Sequence, residues 1–272
     1  MHKRTLTLIG LVALGTLIYA RLIEPRRVRV THLALTLPRL PAAFQNYRVV
    51  HISDFHLGSW MTRERLLHTA DLINLIQPDL VAITGDFLDS RAGAIAERLI
   101  DPLRRLQARD AVVAVMGNHD HYGSVEEVRR VLRASDVIDV SNRVYSVHRG
   151  EAALHIAGVD DVARRHDRLD AVLDQLPPTG AALLLAHEPD FADLSAPTGR
   201  FDLQLSGHTH GGQVRLPLIG PLILPSYGQR YPAGLYRVGD MQLYTNSGLG
   251  SIYPHVRFGV RPEITVFTLK SG

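Results

Sequence analysis

The chain has 272 residues, enough for one large domain and a short appended segment, and its 46% hydrophobic and 21% charged content excludes a disordered chain. It contains no cysteine, which excludes a disulfide framework, a thiolate nucleophile and a cysteine-ligated zinc site. The net charge is +3, but residues 1–30 hold six basic residues against one acid, leaving 24 bases and 26 acids for the rest. The folded body therefore has no basic excess, and nucleic acid is not expected as a dedicated partner.

Thr5–Ala20 is an uncharged run of sixteen residues. Continued past a snorkelling Arg21 to Ile23, it spans about 28 Å at about 1.5 Å per residue, the depth of a bilayer's hydrocarbon layer. The expectation is a single-pass membrane anchor over residues 1–27. A cleaved signal peptide would share the charged start and apolar run, but no small-x-small site follows and no twin-arginine pair precedes it. Arg21, Arg26, Arg27 and Arg29 outnumber Lys3 and Arg4 across the run, which favours a cytoplasmic body.

Residues 28–272 are expected to form one domain. Val28–Leu35 alternates apolar and polar residues, as an antiparallel or edge strand would. Tyr47–Ile52, Leu80–Thr84 and Ala111–Met116 are compact apolar strands. Helices are expected between them at Thr62–Gln77 and Ile95–Leu106, giving two βαβ crossovers and a parallel layer. Weaker strand signals lie at Val137–Val140 and Leu154–Ala157, with a helix at Leu169–Leu176. Five more strands are expected at Ala182–Ala186, Leu203–Ser206, Leu235–Val238, Gln242–Thr245 and Ile264–Leu269. The fold class is α/β: two mixed sheets packed face to face with helices outside, and the N-terminal helix appended.

Polar clusters follow the strands. Ser53-Asp54-Phe55-His56 follows the first βαβ strand, Gly85-Asp86 the second and Gly117-Asn118-His119-Asp120 the third. Asp54, Asp86 and Asn118 are 32 residues apart each time, one strand–helix repeat. Open parallel sheets gather ligands at the carboxyl ends of their strands, so this spacing sets the three side by side. Two later strands run into His187-Glu188 and Gly207-His208-Thr209-His210. Imidazoles and carboxylates without sulfur suit divalent zinc, iron, manganese or nickel. In Asp54-x-His56 and His208-x-His210, alternate residues of an extended segment would point the same way. Asp86, set centrally, could bridge two ions, and the adjacent glycines would permit tight turns.

These motifs, in this order from about Val49 to the C-terminus, resemble the calcineurin-like metallophosphoesterase superfamily. The resemblance implies a four-layer α/β/β/α sandwich and two divalent metal ions. One ion would take Asp54, His56 and His210, the other Asn118, His187 and His208, with Asp86 between them. His119 would not bind metal; it would stabilise phosphoryl oxygens or protonate the leaving oxygen. Ala186-His187-Glu188-Pro189-Asp190, Gly207–Gln213, Gly248-Leu249-Gly250 and Pro262-Glu263-Ile264 look like the membrane-associated bacterial branch typified by YkuE and YaeI. That likeness implies a single-pass protein of the bacterial inner membrane. Its reaction would be phosphoester hydrolysis, as phosphodiesterase or phosphatase, by a metal-activated hydroxide on a lipid-linked or sugar-nucleotide substrate. An alternative is a UDP-2,3-diacylglucosamine-type pyrophosphatase of lipid A synthesis. A non-enzymatic reading, an inactive metal-binding scaffold, would be signalled by loss of Asp86 or His119, and both are present. A β-lactamase-like site expects His-x-His-x-Asp-His, whereas Gly211-Gly212 follows His210.

Asp89 and Asp120 read as residues that orient ligands rather than bind metal. His51, His68, His121, His148, His155 and His255 read as core or surface histidines. Glu188, Arg63 and Gln213 are further candidates for substrate contact.

Overall fold

The computed structural model describes residues 2–58, 60–89 and 93–272. The N-terminal run forms helix α1 (His2–Ile18), continued by a π turn over Tyr19–Ile23 and a 3-10 turn over Glu24–Arg26. Thr7–Arg26 is long and apolar enough to cross a membrane, and its leucines and isoleucines stand exposed. The side chains of Lys3 and Arg4, which enter the orientation argument, lie outside the described residues.

Strand β1 (Arg29–Leu37) leads to β2 (Tyr47–Ile52), helix α2 (Arg63–Ile76) and β3 (Leu80–Thr84). Thr62 caps α2 by accepting from Arg65 N, Glu64 sits in the first turn, and Gln77 closes the helix in the left-handed region. Leu66, Ala70 and Ile73 form its buried stripe, whereas Leu75 faces solvent. Helix α3 covers only Ile100–Arg105, because Gly93–Leu99 winds as 3-10 helix. Pro102 accounts for the late start: it is tolerated only in a first turn, where its missing N–H leaves no bond unmade.

The chain continues through β4 (Ala111–Val115), α4 (Asn118–Tyr122), α5 (Val125–Ala134), β5 (Ile138–Asp139), β6 (Arg143–Arg149), β7 (Ala152–Gly158), α6 (Leu169–Gln175) and β8 (Ala181–Leu185). After the short α7 (Ala192–Ser195) come β9 (Leu203–Ser206), β10 (Arg215–Leu216), β11 (Gly220–Pro221), β12 (Gly234–Val238), β13 (Met241–Thr245) and β14 (Glu263–Ser271). One six-stranded sheet has the order β1-β14-β2-β3-β4-β5 and the other β12-β13-β9-β8-β7-β6, while β10 and β11 form a separate hairpin. Strands β2, β3, β4 and β5 run parallel, as do β13, β9, β8 and β7. As expected, β1 is an edge strand, but it pairs parallel with β14 rather than antiparallel.

Three apolar layers hold these elements. Val49, Leu80, Val113, Ile156, Leu183 and Leu205 meet between the sheets. Ile52, Ile83, Ile73 and Val131 join the first sheet to α2, α3 and α5; Val159, Leu184, Val172 and Phe191 cover the second. The result is the expected α/β/β/α sandwich. Because the parallel strands of both sheets end along the same side, the loops after β2, β3, β4, β8 and β9 converge there.

Candidate metal centre

All eight residues expected at the centre come together at these loops. Three groups of potential ligands each have their ligand atoms within 4.8 Å of one another: Asp54, His56 and His210; Asp86, His187 and His208; and His56, Asp86 and His119. His210 Nε2 lies 3.0 Å from His56 Nε2 and 3.4 Å from Asp54 Oδ1. Asp86 Oδ2 stands between the clusters, 3.4 Å from His56 Nε2 and 3.2 Å from His187 Nε2. Donor atoms about 2.0–2.2 Å from a shared cation lie roughly 3.0–3.6 Å apart, so these separations fit ligand pairs around a divalent ion.

The hydrogen bonds fix which lone pairs point inward. His187 Nδ1 lies 2.5 Å from Thr84 O, and a carbonyl only accepts, so Nδ1 carries a proton and Nε2 is the nitrogen that a cation could claim. His208 is held the other way, with Nε2 donating to Ser226 O at 2.9 Å. Its lone pair is on Nδ1. Asn118 Oδ1 and His187 Nε2 are buried with no hydrogen-bond partner, the condition expected of cation-seeking atoms.

Electrostatics point the same way. Burial holds His56 down at about 3 and His208 at about 4, so both rings are neutral at physiological pH and each could offer a lone pair to a cation. Burial also holds His210 well below its ordinary range, helped by His56 and Arg257. Burial would lower His187 too, but the Asp86 and Asp54 carboxylates outweigh it and hold that imidazole well above its ordinary value. Against burial, which would raise it, the His187 and His119 imidazoles keep the Asp86 carboxyl well below the usual range. A divalent cation would displace the His187 proton, so its uptake would release acid.

The backbone corrects one expectation. Asp54 (φ 54°), His56 (φ 47°), Asp86 (φ 56°), His208 (φ 70°) and His210 (φ 50°) all sit in the left-handed region. The two x-separated pairs are thus not alternate residues of extended strands. Each of these five residues is held in a sparsely populated conformation, costing about 1–3 kcal/mol, and such strain persists only where the surroundings over-determine it. Interlocked loops do so here: Asp54 N donates to Gly85 O (3.0 Å), His56 N to Asp86 O (3.0 Å) and His119 N to Asp86 Oδ1 (2.9 Å). Asp120, expected to orient ligands, accepts from Asp86 N, Phe87 N and Gly117 N, each at 2.9 Å. Gly117 permits this closeness, since a Cβ there would lie 2.3 Å from Asp86 Oδ1.

The calcineurin-like phosphoesterase family model matches residues 47–212, which contain every one of these ligands. The chain belongs to this family. It is a metallophosphoesterase, a hydrolase of phosphoester bonds. Among curated proteins it is 37% identical to the metallophosphoesterase YkuE of Bacillus subtilis, over 96% of this chain and 92% of that one. It is 29% identical to the phosphodiesterase YaeI of Escherichia coli, covering 82% of each. A transmembrane protein with a metallophosphoesterase domain from Danio rerio is 30% identical over 98% of this chain, which spans 63% of that protein's length. Among solved structures, the sulfate thiohydrolase SoxB of Thermus thermophilus superposes with a TM-score of 0.51 at 16% identity, covering 84% of this chain and 57% of that one; it shares the fold.

Other candidates in this metallophosphoesterase fall elsewhere. Glu188, expected near substrate, is fully buried and accepts from Val162 N and Ala163 N, bracing a loop behind His187. Arg63 pairs with Asp101 at the surface. Gln213 does line the metal cavity, but its amide is engaged on both backbone groups of Ile252. His51 and His155 are buried, as core histidines would be, and His121 bonds Asp160 at 2.8 Å. Sequence reasoning missed Arg257, which is fully buried behind His210, with Nη2 3.3 Å from Nδ1. It donates to the carbonyls of Ser247, Gly248 and Gly250, fixing the turn that backs Asp54. A lone arginine within the apolar stretch Val256–Val260 was the available signal.

Proposed function

We propose that the chain is a dinuclear phosphodiesterase or phosphatase acting on a lipid-linked or sugar-nucleotide phosphoester at a bacterial cytoplasmic membrane. Residues 1–27 would be the anchor and 28–272 the catalytic domain, on the cytoplasmic side that the arginines beyond Ala20 favour. Asp54, His56 and His210 would hold one divalent cation and Asn118, His187 and His208 the other. The observation that carries the reading is the placement of Asp86 Oδ2 within 3.4 Å of His56 and 3.2 Å of His187, one oxygen facing both clusters. Bound cations would polarise the phosphoryl group and supply hydroxide near neutral pH.

The chain's own groups would do the rest. The half-buried His119 stands edge-on to His56 with ring centroids 4.6 Å apart and faces the same cavity as Asp86 and Asn118. From there it would bind a phosphoryl oxygen and give a proton to the leaving oxygen, a contribution of about 10²–10⁴ in rate. Leu222, Ile223, Ile252 and Tyr253 line the outer part of this cavity of about 370 Å³, a wall suited to an apolar substituent. The names of the YaeI and Danio rerio relatives support diester chemistry and membrane attachment.

Turnover of bis-p-nitrophenyl phosphate with Mn²⁺, Zn²⁺, Fe²⁺ or Ni²⁺ tests the class. The expected result is metal-dependent hydrolysis that Asp86→Asn abolishes. Equal turnover in the variant would defeat the reading.

A further inference from the structure

Outside the metal ligands, the most unusual surface of the described residues is a rim of large apolar side chains. Ile219 is 71% exposed, Ile223 80% and Tyr253 86%, and Leu218 is fully exposed. They belong to two segments, the β10–β11 hairpin with its continuation to Ile223, and the loop around Tyr253. The segments are tied together through Val214, which bridges to Phe258 and whose carbonyl accepts from Leu222 N. Monomeric proteins rarely expose so many bulky apolar groups together without a partner for them.

The position of the rim identifies that partner. The end of the N-terminal helix docks onto the same segment: Arg21 donates to Pro254 O at 2.8 Å, Arg257 N donates to Ala20 O at 2.8 Å, and Tyr19 packs edge-on to Phe258. A groove of about 700 Å³ runs between Tyr19 and the hairpin, with Leu218 and Ile219 on its wall. Arg21 is the first charge after the apolar run, so it marks the plane where lipid gives way to water. Tyr253 is the immediate neighbour of the carbonyl that Arg21 holds. On the other side of the hairpin, Leu222, Ile223 and Tyr253 reach the metal cavity.

We infer that this rim is a membrane-insertion surface: Leu218, Ile219, Ile223 and Tyr253 enter the lipid interface beside the anchor, and the metal cavity opens at the bilayer surface. The occupant is the lipid leaflet itself. Apolar side chains at a protein's base enter the headgroup–acyl boundary to a depth of about 5–10 Å, and tyrosine favours that boundary. A lipid phosphoester would then present its phosphate to Asp86 and His119 while its chains stay against Ile223 and Tyr253. The inference rests on the proposed anchor and deepens the lipid-substrate reading.

The chain has no cysteine, so one introduced cysteine carries one nitroxide label at a known position. Leu218→Cys and Ile223→Cys would be labelled in the full chain, reconstituted in phosphatidylcholine–phosphatidylglycerol vesicles. Leu75→Cys serves as the water reference; it is 81% exposed at the end of α2 that leads into β3, away from the metal cavity. The expected result is an oxygen-to-nickel-chelate accessibility ratio at least roughly threefold higher at Leu218 and Ile223 than at Leu75, as for groups below the headgroups. Ratios equal to that of Leu75 would overturn the inference, as would dipolar broadening that shows a second copy covering the rim, or failure of the chain to float with vesicles. Depth is read without catalysis. Submerged labels alongside an unlabelled, metal-loaded parent chain that hydrolyses no bis-p-nitrophenyl phosphate would therefore leave the rim standing and remove the proposed diesterase reading.

Discussion

The backbone N–H of His208 donates to both carboxylate oxygens of Asp54, at 3.1 Å each, across 154 residues of chain. This contact joins the ligand loop of one sheet to that of the other. It requires Gly207 just before it, where a Cβ would lie 1.9 Å from Ser53 Oγ and 2.3 Å from Asp54 Oδ2.

Gly207→Ala is therefore expected to push Asp54 off its position without touching a ligand chemically. Metal affinity should fall by roughly 10–100-fold, as when a ligand's orienting contacts are lost. Titration with Mn²⁺ or Zn²⁺, alongside circular dichroism to verify folding, checks this. A folded variant with unchanged affinity would contradict it.

His119→Ala should separate chemistry from metal binding. We expect kcat to drop by about 10²–10⁴ with metal content retained, and the loss to grow as the leaving group becomes a poorer one. An equal loss for p-nitrophenol and alkoxide leaving groups would remove the proton-donor role.

Asp120→Ala should act on stability first. Its carboxylate satisfies three backbone donors, at Asp86, Phe87 and Gly117. Leaving each unpaired costs about 1–3 kcal/mol, so Tm should fall by roughly 6 °C or more for a chain of this size. Thermal unfolding at neutral pH reads it, and a Tm within one or two degrees of the parent would refute it.

The His121–Asp160 pair supplies a pH signature. Burial would lower His121, but its hydrogen bond to Asp160 and that charge raise it above 6.5; burial would raise Asp160, but His121 and Arg129 lower it below 3.8. A raised imidazole stabilises fully below 6.5, and that share is lost as pH climbs through its folded value. A lowered carboxyl stabilises above 3.8, and that share is lost as pH falls through its folded value. The pair thus contributes most between these limits. His121→Gln should remove part of the fall in Tm between pH 6 and 9, by less than about 4 °C because a single ion pair near the surface contributes little. Identical pH profiles for variant and parent would contradict the assignment.

The gathering of the candidate ligands was legible because a βαβ repeat has a nearly fixed length, so Asp54, Asp86 and Asn118 at equal spacing could only meet at one sheet edge. The way the ligands turn inward was not legible. Positive φ at Asp54, His56, Asp86, His208 and His210 comes from long-range bonds, such as His208 N to Asp54, that no local pattern encodes. Arg257 escaped for the same reason, since its partners are backbone carbonyls. Helix α5 was readable and overlooked: Val128, Val131 and Leu132 form its buried stripe, with Glu126 and Glu127 in the first turn. The apolar rim was not legible, because exposure beside the anchor is a tertiary property.

The most direct test of the central claim is elemental analysis of metal bound to the purified chain, loaded with Mn²⁺, Zn²⁺, Fe²⁺ or Ni²⁺ and freed of excess. Two equivalents per chain are expected, falling to one or none in Asp86→Asn, with hydrolysis lost in parallel. A wild-type chain that retains no divalent metal, yet hydrolyses phosphoesters in the presence of a chelator, would contradict the account.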